Sequence, residues 1–121
     1  MLHNLSISNK ENKRIVLRTS DDIHLINITE LIRVESDGAY SHFHLDGGNR
    51  ITVSQNIKQY DDILTNHGFF RCHQSHIINV SFIKRYHKVE GGTLILKDGT
   101  SIPVSLRKKE AMFKLFQEQG L

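Results

Sequence analysis

Short runs of alternating or continuous aliphatic, β-branched and aromatic residues recur along most of this chain, broken by small clusters of turn formers. RIVLRT (14–19), IHLINI (23–28), LIRVES (31–36), YSHFHL (40–45) and RITV (50–53) read as strands, because side chains two apart share a face and these residue types suit a pleated, half-buried surface. FFRC (69–72), HIIN (76–79), IKRYHKV (83–89), TLILK (93–97) and SIPV (101–104) read the same way. The breaks carry turn chemistry: Ser20-Asp21-Asp22, Asp37-Gly38, Asp46-Gly47-Gly48-Asn49, Gly91-Gly92 and Asp98-Gly99. The last two fit two-residue hairpins, since glycine and aspartate tolerate the positive φ of a type I′ turn. So many short strands in series predict a mainly β, antiparallel architecture.

Two segments change period. In residues 54–68 Ile57, Tyr60, Ile63 and Leu64 recur at spacings of three and four, with Ser54 or Asn56 able to cap the start and Gly68 the end, which predicts a short helix on the sheet. A second helix is expected from Ser105 as N-cap, with Leu106, Met112, Phe113 and Phe116 as an apolar stripe packed on the core. Residues 1–12 read as a flexible lead-in, and 13–121 as one domain large enough to bury a core without metals or disulfides.

Composition narrows the function classes. No apolar run approaches a membrane span and the polar start lacks a secretory core, so a cytoplasmic location is expected. The single cysteine, Cys72, cannot form an intrachain disulfide. Net charge is +3, but residues 20–65 carry eight acids against three bases, and residues 71–109 carry eight bases against two acids. The second half is therefore a candidate for facing a polyanion, with a plain solvated face as the alternative. Arg107, Lys108 and Lys109 fall in the first turn expected of the second helix, where cations are disfavoured by roughly 0.3–1 kcal/mol each and an anion would be welcome.

The densest chemistry is RCHQSH (71–76), set between apolar flanks. A metal site could draw on His42, His44, Cys72, His73 and His76, but Cys72 and His73 are adjacent and alternate across a strand, and no recognised ligand spacing is present. Cysteine–histidine catalysis would need a lowered thiol pKa, an orienting third group and an oxyanion hole, and no such set is assembled in the sequence. No catalytic residue, metal or cofactor is therefore expected. A recognition surface fits better: Gln74 can present a bidentate amide to a base edge, and His73 and Ser75 can donate to phosphate or base. A turn satisfied by its own Gln74 and Ser75 is the plainer alternative, and a β-rich protein-interaction module without nucleic-acid binding is the rival function.

FFRCHQSHIINVSFI (69–83) resembles the central signature of the LytTR family of bacterial DNA-binding domains, carried by Phe70, Arg71, His73, Ser75, Asn79 and Ile83. IRVESDGAYSHFHL (32–45) and DGTSIPVSLRKKEAMF (98–113) are similar to the family as well, so the resemblance spans roughly residues 13–118. It implies an elongated arrangement of short antiparallel β-sheets with one short helix packed on them and a C-terminal helix. It also implies loops that enter double-stranded DNA, a receiver domain ahead of this chain in a two-component response regulator, and binding as a dimer to promoter direct repeats. By position the contacts fall on Tyr40, Ser41 and His42, on His73, Gln74 and Ser75, and on Ser105, Arg107, Lys108 and Lys109. Gln74 and Arg107 are expected at base edges and Tyr40, Ser41, His42, His73, Ser75, Lys108 and Lys109 at phosphates, while Arg71 either touches DNA or pairs with Asp61 or Asp62. Asn79 is expected to close a turn. Ser41 and Gln74 depart from the residues several relatives carry, so the operator sequence does not transfer.

Overall fold

The structure, a computed structural model, describes residues 13–119. The expected lead-in over residues 1–12 lies outside the described residues. The chain divides into two compact units, Met1–Tyr60 and Asp61–Leu121. All ten expected strands are present, with ends that agree to within two residues, because their alternating or continuous apolar patterns are strong local signals.

In the first unit β1 (Arg14–Arg18) pairs antiparallel with β2 (Ile23–Asn27). Alternation along β1 buries Ile15 and Leu17, and the connection is held by Thr19, whose N–H donates to the Asp22 carbonyl at 2.9 Å while its hydroxyl accepts the Asp22 N–H at 3.1 Å. β3 (Leu31–Asp37), β4 (Tyr40–Leu45) and β5 (Arg50–Val53) form an antiparallel ladder in that order. Asp37 faces Tyr40 across a two-residue loop in which Gly38 has φ 61°, as a type II′ turn requires of its first central residue. Leu31, Val34 and Phe43 are fully buried, and the Phe43 ring meets Tyr60 edge to face at 4.8 Å. Complete burial of Phe43 stabilises the unit by about 2–3 kcal/mol.

The second unit opens with α1 (Asp61–Thr65), followed by β6 (Phe69–His73) and β7 (His76–Asn79), an antiparallel hairpin. β8 (Ile83–His87), β9 (Thr93–Leu96) and β10 (Ser101–Pro103) make a three-stranded antiparallel sheet in the order β10-β9-β8, and α2 (Lys109–Glu118) ends the unit. Leu64, Cys72, Ile77, Ile78, Leu94, Leu96 and Met112 supply its fully buried core. Asn79 closes a turn as expected: its side-chain oxygen accepts from the Ser81 N–H at 3.1 Å and the Ser81 hydroxyl at 2.9 Å.

Three expectations need correction. Neither Gly91-Gly92 nor Asp98-Gly99 makes a two-residue hairpin. Ile95 pairs with Ser101, and the Leu96 carbonyl and N–H bond to Gly99 and Thr100, leaving a three-residue loop with Gly99 at φ 90°. His87 pairs with Thr93, so Gly91 and Gly92 close a five-residue loop in which Glu90 also takes positive φ, 55°. The 54–68 segment is less regular than its spacing predicts: Ile57–Tyr60 is a 3-10 turn, Asn56 caps it by accepting the Lys58 N–H at 2.9 Å, and only Asp61–Thr65 is α-helical. The C-terminal helix also begins late. Ser105 makes no side-chain capping bond, Leu106–Lys108 form a 3-10 turn, and α2 proper starts at Lys109. Its apolar stripe is accordingly shorter than expected, with Met112 buried, Phe113 48% exposed and Leu106 83% exposed.

Candidate nucleic-acid interface

RCHQSH forms the tip of the β6–β7 hairpin. His73 faces His76, so Gln74 and Ser75 alone make the turn. Phe69, Cys72, Ile77 and Ile78 in the strands below it are buried, which leaves the polar tip standing on an apolar base.

Arg71 braces that tip. Its Nε donates to the His73 carbonyl at 3.0 Å, one terminal nitrogen to the Gln74 carbonyl at 2.5 Å, and the other to Asp61 Oδ2 at 2.9 Å. With its side chain 16% exposed, Arg71 is held inward, and of the two carboxylates expected as partners it is Asp61 that takes it. The planar guanidinium suits this role because its donors lie in a fixed fork. His73 Nδ1 accepts the Ser75 N–H at 3.0 Å, which assigns the neutral ring's proton to Nε2 and leaves that N–H as a donor. The His73 and His76 rings lie 5.4 Å apart. Gln74 is exposed.

The start of the C-terminal segment comes to the same place. The Ser105 N–H donates to the Cys72 carbonyl at 2.9 Å, tying the 3-10 turn of Leu106–Lys108 to β6, and the Lys108 N–H returns to the Ser105 carbonyl at 2.9 Å. Asp61, Arg71, His73, Gln74, Ser105, Arg107 and Lys108 thereby line one cleft of about 470 Å³. Its only carboxylate is engaged by Arg71, while Arg107 and Lys108 form no ion pair among the described residues, so the rim is cationic. Lys109 turns elsewhere, its ammonium bonding the Gly91 carbonyl.

The remaining candidates belong to the first unit. Tyr40 directly follows the Gly38–Ala39 turn and is 51% exposed. Ser41 is fully buried, and its hydroxyl donates to the Gln55 carbonyl at 2.7 Å. His42 is largely enclosed, with Nδ1 2.7 Å from Thr52 Oγ1 and Nε2 3.0 Å from Asp37 Oδ2. His44 pairs with Glu35 at 3.1 Å, yet its pKa lies below 6.5 because burial and the nearby Arg33 charge outweigh the Glu35 bond.

Cys72 is buried, and desolvation pushes its thiol up to about 12, which makes it a core group rather than a nucleophile. Among the described residues no group of three or more His, Cys, Asp or Glu side chains could hold a metal ion. Asp61, ten residues before Arg71, also forms a wall of the cleft, a placement that spacing along the chain does not signal.

The LytTr DNA-binding domain family matches residues 21–117. Among solved structures, the fold is similar to a LytTr DNA-binding domain from Bacillus cereus, taken from a protein described as a methyl-accepting/DNA response regulator, with TM-score 0.72 and 22% identity over 85% of this chain and 95% of that one. No curated protein matches the chain. With the family covering most of its length, the chain belongs to the LytTr DNA-binding domains.

Proposed function

We propose that this DNA-binding domain reads sequence in double-stranded DNA through the tip of the β6–β7 hairpin and the turn leading into α2, as the output domain of a two-component transcription regulator. The observation that carries this reading is the convergence of Gln74, Arg107 and Lys108 on one cationic cleft, with the intervening Arg71 neutralised by Asp61. Gln74 and Arg107 each form two hydrogen bonds to a base edge in the major groove, and those bonds select sequence. Lys108, His73, Ser75, Ser105 and Tyr40 fix register on phosphates. Arg71 acts indirectly, by holding the carbonyls of His73 and Gln74, and Ser41 and His42 act by ordering the edge beside Tyr40. A receiver domain precedes the chain in the full-length regulator, two copies occupy paired direct repeats, and the protein works in the cytoplasm, where promoters are.

The test is an anisotropy titration against a duplex selected from a random pool and a scrambled duplex of equal length. Gln74→Ala should cost about 1–3 kcal/mol on the selected duplex at a single base pair and little on the scrambled one. Equal affinity of the unaltered chain for both duplexes would remove the sequence-reading part of the proposal.

A further inference from the structure

The DNA-reading residues leave unexplained a second concavity on the same unit, a groove of about 590 Å³ between β8 and α2. Its floor is aromatic. Tyr86 and Phe113 meet edge to face at 5.6 Å and 90°, and Phe116 stands 6.3 Å from Phe113 and 6.5 Å from Tyr86. Tyr86 is seated by close approach to the backbone: a Cβ at Gly92 would lie 1.8 Å from its hydroxyl oxygen. Lys84, Arg85 and Lys88 stand around the floor, and no Asp or Glu lines the groove.

We infer that this groove is a binding site for a small amphiphilic anion, a flat aromatic body carrying one carboxylate or sulfonate. Size and charge both select that class. The volume falls in the range of small-ligand pockets, roughly 300–1,000 Å³, and an aromatic lining with a few polar groups is how such pockets hold their ligands. A protein partner would need an apolar surface of several hundred Å², yet of the unit's exposed large hydrophobic residues, Val89, Leu106 and Phe113, only Phe113 lines the groove. A planar ring extends the edge-to-face pattern already present, and an anionic group faces a lining that carries three cations and no acid. The inference is independent of the DNA-reading surface, since none of the three groove cations lines the Gln74–Arg107 cleft.

The test titrates the full chain with 2-naphthoate while following backbone amides by NMR, with 2-naphthylmethanol as the uncharged counterpart and acetate as the anion without a ring. Shifts should concentrate at residues 83–88 and 113–119, and naphthoate should bind about fivefold tighter than the alcohol. Arg85→Glu, an exposed site, should erase that preference, and Phe113→Ala should weaken both aromatic probes by about tenfold. Shifts spread over the chain, equal binding of alcohol and carboxylate, or displacement of naphthoate by a short duplex would each overturn the inference, the last by assigning the groove cations to DNA.

Discussion

Arg71 spends three N–H donors on two main-chain carbonyls and one carboxylate, and a lysine could not reproduce that geometry from a single nitrogen. Arg71→Lys should leave the fold intact, lower stability by about 1–2 kcal/mol in urea unfolding, and weaken DNA binding more than its unchanged charge would suggest. An unchanged affinity would show that the brace is not needed. His44 offers a second residue-level test. Its pKa in the folded chain lies below the 6.5 of an unfolded histidine, chiefly through burial, so the unfolded state binds the proton more readily. Stability held above pH 6.5 is therefore lost as pH falls through the lower folded value, and His44→Gln should flatten that loss relative to the parent chain in denaturation midpoints between pH 8 and 5. Ser41 shows what sequence already contained: it lies two residues before buried Phe43, on the same face of β4, so the period of two that identified the strand also turned its hydroxyl inward. His42, between them, takes the opposite face, the one it shares with Tyr40.

At the level of elements, strands were legible and their connections were not. Apolar alternation is a property of each segment, whereas loop length depends on which residues of two segments pair, and that register is set by packing on both faces. Gly91 and Gly92 look like a tight turn in sequence, but the pairing of His87 with Thr93 leaves them in a wider loop where Gly92 seats an aromatic ring. Gly92→Ala should therefore destabilise the unit by about 1–3 kcal/mol, because φ is 92° and the new methyl overlaps the Tyr86 ring. In a Tyr86→Ala background the same change should cost measurably less, and an equal cost in both backgrounds would leave only the backbone term. The late start of α2 has a similar origin. Three- and four-residue spacing does not distinguish a 3-10 turn from an α-helix over so few residues, and the bond from Ser105 to Cys72 fixes the turn from outside its own sequence.

Across the whole molecule, charge is the quantity sequence conveyed best and placement the one it conveyed least. The surplus of bases over residues 71–109 is countable in the sequence, but the Gln74–Arg107 cleft takes Arg71, Arg107 and Lys108, the β8–α2 groove takes Lys84, Arg85 and Lys88, and Lys97 and Lys109 line neither. Lys108→Ala should weaken binding to selected and scrambled duplexes alike and reduce the slope of log K against log salt by about 1, whereas Lys88→Ala should leave that slope unchanged. A salt slope that responds equally to both changes would count against two separate cationic surfaces. The grip of Arg71 on carbonyl oxygens carries a consequence for how such domains diversify. Every amino acid supplies the same carbonyl, so the hairpin can exchange what it displays at position 74 without loosening the frame that presents it. New operator preferences would then be reachable by single substitutions there, each variant inheriting a scaffold already in place.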